Sequence, residues 1–217
     1  MLHIETVEPH TLDLLKRLMR DEILSGFNLV GGTSLSLQLG HRKSIDLDLF
    51  SFSDFSGSEL KNYLTNNYSD FIPGRENAFT LISEIEGIKV DFIRYGYPLV
   101  KDLINEDGIR LYSKEDIAAM KLSAISQTGL RLKDFVDIAC LSTEFSLNQM
   151  LDLYSEKFNN DGLTLHLIRA LSYHEEIDHT NKVDIINGLY SWKSIQKRLY
   201  DMIDNPDKIY SLMPFNG

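Results

Sequence analysis

Asp46 and Asp48 stand two residues apart in Ile45-Asp46-Leu47-Asp48-Leu49-Phe50. On an extended chain that spacing sends both carboxylates to one side while Leu47 and Leu49 go to the other. Two like charges on one face repel each other, so the pair calls for a cation between them. Carboxylate oxygens suit Mg2+, with Mn2+ as the alternative, and the phosphates of an NTP would complete the coordination shell. A third carboxylate, Asp91, interrupts the apolar run Ile88-Lys89-Val90-Asp91-Phe92-Ile93, where an uncompensated buried charge is costly. If that run lies beside the first, Asp91 meets Asp46 and Asp48 and can act as base for an incoming hydroxyl. Taken singly, an Asp-x-Asp also occurs as solvated charge on an exposed sheet face.

Upstream, Gly31-Gly32-Thr33-Ser34 follows Phe27-Asn28-Leu29-Val30 and precedes Leu35, Leu37 and Leu39, which end at Gly40. This is strand, glycine turn, helix, with Thr33 or Ser34 expected as the helix cap. Free backbone N–H groups and the positive end of the helix dipole can then face an anion, and paired glycines let a phosphate approach the backbone. No Gly-Lys-Ser/Thr follows and the three-glycine dinucleotide fingerprint is missing, so neither common phosphate loop is present. Arg42 can grip a phosphate or form a surface ion pair. His41 reads best as a structural histidine.

These residues need elements to hold them. Thr11 to Ser25 has helical apolar spacing before Gly26. Ile45 to Phe52 alternates as a strand, Gly57 to Asn66 reads as a helix, and Phe79 to Glu86 and Ile88 to Tyr95 read as strands joined at Glu86-Gly87. From Ser113 onward the spacing is helical: Lys114 to Gln127, Leu130 to Ser142, Ser146 to Phe158, Leu163 to Ser172 and Ser191 to Ile203. Lys121 is a polar residue on a mainly apolar helix, placed either to reach across a cleft or to extend to solvent. Lys133 and Asp137 have the spacing of a helix-surface ion pair.

At 217 residues, with 43% hydrophobic and 25% charged side chains, the chain can bury a substantial core, and its composition gives no case for disorder. The net charge of -10 argues against a protein that coats nucleic acid nonspecifically, because that requires clustered Lys and Arg. Apolar runs fall far short of the roughly 20 residues of a membrane span. The single cysteine, Cys140, excludes an internal disulfide and suits a core position in a reducing compartment, so a cytoplasmic protein is expected. His174 and His179 are five apart, whereas two zinc ligands on one helix face stand four apart. Trp192, Tyr190 and Tyr200 are expected to pack the last helix.

The stretch from Val30 to Phe50, with its Gly-Gly-Thr-Ser and Asp46-Leu47-Asp48, resembles the signature of the AbiEii/AbiGii toxin family of nucleotidyltransferases, within the DNA polymerase β-like superfamily. Ile88 to Ile93, Lys114 to Ile125 and Arg131 to Ile138 fit the same pattern. The resemblance implies an α+β fold, with a nucleotidyltransferase-type mixed β-sheet lobe and flanking helices over residues 1–112. A helical lobe over residues 113–217 would complete the active-site cleft. It implies that Asp46, Asp48 and Asp91 bind metal, that Lys121 contacts the nucleotide, and that Asp134, with Asp137, belongs to the last active-site motif.

The expected reaction moves an NMP from an NTP to an acceptor hydroxyl with loss of pyrophosphate. Asp46, Asp48, Asp91 and Lys121 form the catalytic set, and Gly31, Gly32, Thr33, Ser34, Arg42, Lys121 and Asp134 form the nucleotide site. The resemblance adds the role of a toxin in a toxin–antitoxin or phage-defence pair, with an RNA such as tRNA as one acceptor and a cognate antitoxin as partner. The alternatives are a nucleotide-binding regulatory module without turnover and a metal-dependent phosphohydrolase.

Overall fold

The apolar run Phe27–Val30 is strand β1, buried along its whole length, in a computed structural model that describes residues 1–180 and 183–215. The chain divides into two units: Met1–Gly40, Ser44–Tyr97 and Leu103–Tyr112 form the first, and His41–Lys43, Pro98–Asp102 and the chain from Ser113 onward form the second.

In the first unit β1 joins β2 (Leu47–Ser51), β3 (Phe71–Asn77), β4 (Thr80–Ile85), β5 (Ile88–Arg94), β6 (Ile104–Glu106) and β7 (Ile109–Leu111). The seven-stranded sheet runs β3-β4-β5-β2-β1-β7-β6. Strand β2 pairs antiparallel with β1 and parallel with β5. The register places Leu47 beside Val90 and Leu49 beside Phe92, so these four apolar side chains share one face. They join Leu14, Leu15 and Leu18 of α1 (Pro9–Arg20), and Leu60 and Leu64 of α3 (Gly57–Asn67), in one buried cluster. Each fully buried leucine of that kind contributes roughly 1.5–3 kcal/mol. Asp48 and Asp91 therefore occupy the opposite face.

The first helix is shorter than its apolar spacing predicts. It stops at Arg20 because Asp21 accepts a hydrogen bond from the Ile23 N–H at 3.0 Å and starts a separate single-turn 3-10 segment. Helix α2 (Gly31–Leu39) starts at the first glycine with Val30 as its cap residue, so Thr33 and Ser34 lie inside the helix and do not cap it. It ends as expected at Gly40, in left-handed conformation. Glu86 and Gly87 form the anticipated turn, both at positive φ. The edge strand β3 escapes the alternation rule because it is mostly exposed and irregular between Pro73 and Glu76. The β6–β7 hairpin turns at Asp107-Gly108, both at positive φ, between strands of three residues.

The second unit is built of α4 (Lys114–Gln127), α5 (Leu132–Leu141), α6 (Leu147–Phe158), α7 (Thr164–Ser172) and α8 (Trp192–Asp204). Ser113 caps α4 by accepting from the Asp116 N–H at 3.0 Å. The Asp116 carboxylate is fully buried and accepts from Val100 N and Lys101 N, each at 3.1 Å, and from Lys157 Nζ at 2.6 Å. Residues 98–102 are fastened to this unit through that carboxylate. Cys140 is buried, and burial pushes its thiol pKa well up, as a core cysteine requires. Trp192 packs edge-on against Phe135 and His174, while Tyr200 stays largely exposed. Among the described residues no helix is long and apolar enough to cross a membrane.

Candidate active site

The parallel register of β2 and β5 sets Asp48 directly beside Asp91, and side chains in register on neighbouring strands share a face. Val30 flanks Asp48 on β1, and Ile82 flanks Asp91 on β4, so apolar side chains border the carboxylate pair on both sides. Asp91 is 7% exposed, and its Oδ1 is a buried oxygen without a hydrogen-bond partner. Its Oδ2 forms an ion pair with Lys89 Nζ. Burial works against the charge on Lys89, yet Asp91, then Asp48 and Asp46, hold its pKa above the ordinary lysine value.

Gly31 has a left-handed φ of +69°, and a Cβ on it would collide with Asp48 Oδ2. The clearance that glycine supplies is thus filled by the carboxylate of Asp48, at the N-terminal end of α2, where the helix dipole favours negative charge. Thr33 is buried inside α2 and its hydroxyl joins Ser44 Oγ at 2.9 Å and donates to the Asp46 carbonyl, which pins the segment leading into β2. Ser34 Oγ is likewise buried and donates to the Tyr112 carbonyl at 3.4 Å. Both hydroxyls are spent inside the protein, so any open donors of this segment are the first-turn backbone N–H groups that a helix start leaves without intrahelical acceptors. Asp46 is half-buried just ahead of β2.

Arg42, Lys121 and Asp134 come together in the second unit with His41 and Asp137. Arg42 Nε and Nη2 grip the two oxygens of Asp137 at 2.7 and 2.9 Å, and Nη1 donates to the Lys43 carbonyl at 3.0 Å. Lys121 Nζ lies 2.5 Å from Asp134 Oδ1 and 2.6 Å from Asp137 Oδ2. His41 Nε2 is 2.9 Å from Asp137 Oδ1. Asp137 is therefore no surface partner of Lys133: it is fully buried and turned inward because three buried basic groups surround it. Arg42 is no surface residue either, at 2% exposure. Burial alone would raise the Asp137 pKa, but Arg42 and Lys121 hold it well below the usual carboxylate range. Burial lowers the His41 pKa despite Asp137, so the imidazole is neutral near pH 7 and its Nε2–H donates to the carboxylate.

The model of the family described as "Nucleotidyl transferase AbiEii toxin, Type IV TA system" matches residues 13–105 and 83–201, which includes every residue named in both clusters. The chain belongs to the AbiEii nucleotidyltransferase toxin family. An uncharacterized protein of Aquifex aeolicus (strain VF5) is 31% identical over 170 residues, covering 76% of this chain and 81% of that protein. Solved structures share the fold. A candidate nucleotidyltransferase from H. pylori has a TM-score of 0.54 at 16% identity, covering 92% of this chain and 96% of its own. A nucleotidyltransferase-like antigenic protein from Paracoccidioides brasiliensis has a TM-score of 0.52 at 18% identity, covering 94% and 95%.

For an AbiEii family member, the Asp48–Asp91 face fits a hard divalent cation on its donor chemistry. Magnesium is commonly held by one or two carboxylates, with phosphate oxygens and waters completing its shell. The partnerless Asp91 Oδ1 is an oxygen of that kind. Among the described residues no group of three or more His, Cys, Asp and Glu side chains is gathered closely enough to hold a metal ion by itself. Asp48 and Asp91 are the two carboxylates that this sheet face offers such an ion. Lys89 escaped the motif reading, although its position two residues before Asp91 on a strand places it on the same face.

Proposed function

We propose that this chain transfers an NMP from an NTP to a hydroxyl of an RNA acceptor, tRNA among the candidates, in a Mg2+-dependent reaction. In that reading it is the toxin of a toxin–antitoxin pair that serves in phage defence. The observation that carries the reading is the register of Asp48 with Asp91, with a buried Asp91 oxygen left without a partner. The family description as a type IV toxin supports the biological role and a cognate antitoxin as the opposing partner.

Asp48 and Asp91 would hold the metal, with Asp46 at its edge, and the bound cation would supply charge neutralisation at the attacking and leaving oxygens. The backbone N–H groups at the start of α2 orient the phosphates. Asp91 takes the proton of the acceptor hydroxyl as its oxygen bonds to the α-phosphorus, the bond to the bridging oxygen breaks, and pyrophosphate leaves. Arg42, Lys121, Asp134 and Asp137 serve by fixing the segment after α2 and the start of α5 within the helical unit.

The test is to incubate the protein with Mg2+, total cellular RNA and each α-labelled NTP in turn. Label in RNA with release of pyrophosphate is the expected result. Release of orthophosphate without labelled RNA would instead establish a phosphohydrolase, and nucleotide binding without any product would establish a regulatory module.

A further inference from the structure

Lys89 lies on the same face of β5 as Asp91, and its ammonium sits on Asp91 Oδ2. The lysine side chain is 51% exposed, whereas that of Asp91 is 9% exposed, so the lysine can swing into water and the aspartate cannot follow. Asp48 stands beside Asp91 in register, and the second Asp91 oxygen is buried without a partner. One carboxylate thus has one oxygen held by a half-exposed ammonium and the other buried without a hydrogen-bond partner.

We propose that Lys89 is the resident counter-cation of the Asp48–Asp91 pair, that a divalent cation must displace it from Asp91, and that this competition sets the metal affinity of the site. The inference rests on the metal reading proposed above. A doubly charged ion shared by Asp48 and Asp91 would lie within a few ångströms of the ammonium, and like charges at that distance repel strongly where water is partly excluded. The flexible four-carbon stem lets the ammonium leave without moving the strand. Before metal arrives, the same ammonium offsets the repulsion of two adjacent carboxylates on the sheet.

The experiment titrates the full chain with Mn2+ alone, counting free ion by electron paramagnetic resonance, for the wild type, Lys89→Met, Lys89→Gln and Lys89→Arg. Lys89→Met and Lys89→Gln are expected to bind Mn2+ about twofold to fivefold more tightly than the wild type, the equivalent of one partly exposed ion pair. Lys89→Arg is expected to stay near the wild-type value. Equal or weaker binding by Met and Gln overturns the proposal while leaving the metal reading standing. No Mn2+ binding by any of the four overturns both. A measurement on the wild type alone removes dependence on folded variants: acylation of Lys89, followed by mass spectrometry, should accelerate severalfold when Mg2+ is added. An unchanged rate contradicts displacement.

Discussion

The sheet aspartate Asp91 and the helical aspartates Asp137 and Asp116 differ in how fully their oxygens are partnered. In the helical unit the Asp137 carboxylate is met by Arg42 on both oxygens and further by His41 and Lys121, all buried. Asp116 is similarly filled by two backbone N–H groups, Ser113 and Lys157. On the sheet, Asp91 is as deeply buried as many core residues, yet one oxygen has no partner and the other meets a lysine that is half in water. A saturated carboxylate fixes backbone; an under-partnered one at a strand face can still take a ligand.

The largest expected effect breaks the saturated group. Asp137→Asn leaves Arg42 and Lys121 buried without their main counter-charge, and the loss should be about 3–5 kcal/mol, read by urea denaturation. A loss under 1 kcal/mol would show that water reaches this network and that it is not the scaffold described. Next, Gly31→Ala forces a left-handed φ on alanine and drives its methyl into Asp48. A loss of about 1–3 kcal/mol is expected, together with weakened Mn2+ binding as Asp48 shifts. Unchanged metal binding would place Asp48 outside the metal shell.

A smaller effect comes from pH. Burial holds the folded pKa of His41 below its ordinary 6.5, so below pH 6.5 the unfolded chain binds a proton that the native chain refuses. Its contribution is complete above 6.5 and is lost as pH falls from there toward the folded value. Asp137, whose folded pKa lies well below 3.8, keeps its contribution above that value and loses it only at lower pH. The urea midpoint of the wild type should therefore fall as the pH drops below 6.5, and His41→Asn should flatten that limb. A slope unaltered in the variant would assign the loss to other groups.

The sequence made the central strands, the Glu86-Gly87 turn and all five helices from Lys114 onward legible, because each has a strong period or a capping residue. Strand β3 was hidden by its exposed, polar edge position, and β6 and β7 by their length of three residues. Pairing of Asp48 with Asp91 was readable only as a condition, since alternation tells which face a side chain takes but not which strand lies alongside. Although the family resemblance sets it with Asp134 in an active-site motif, helical spacing alone gives no sign of the inward turn of Asp137. Its partners Arg42 and His41 lie some 95 residues away in the chain, and nearby Lys133 offered a local pair that the fold does not use. Thr33 and Ser34 looked like caps because their chemistry suits that role, but the helix begins two residues earlier, at Gly31.

The most direct test compares Asp91→Asn with the wild type for transfer of α-labelled NMP to RNA, with urea denaturation run on the same preparations. The account predicts that Asp91→Asn changes stability by less than about 1 kcal/mol, since Lys89 can enter water. Transfer should drop by about a thousandfold or more, because metal and base are lost together. Undiminished labelling by a folded Asp91→Asn protein would contradict the claim that the sheet aspartates are the reactive centre.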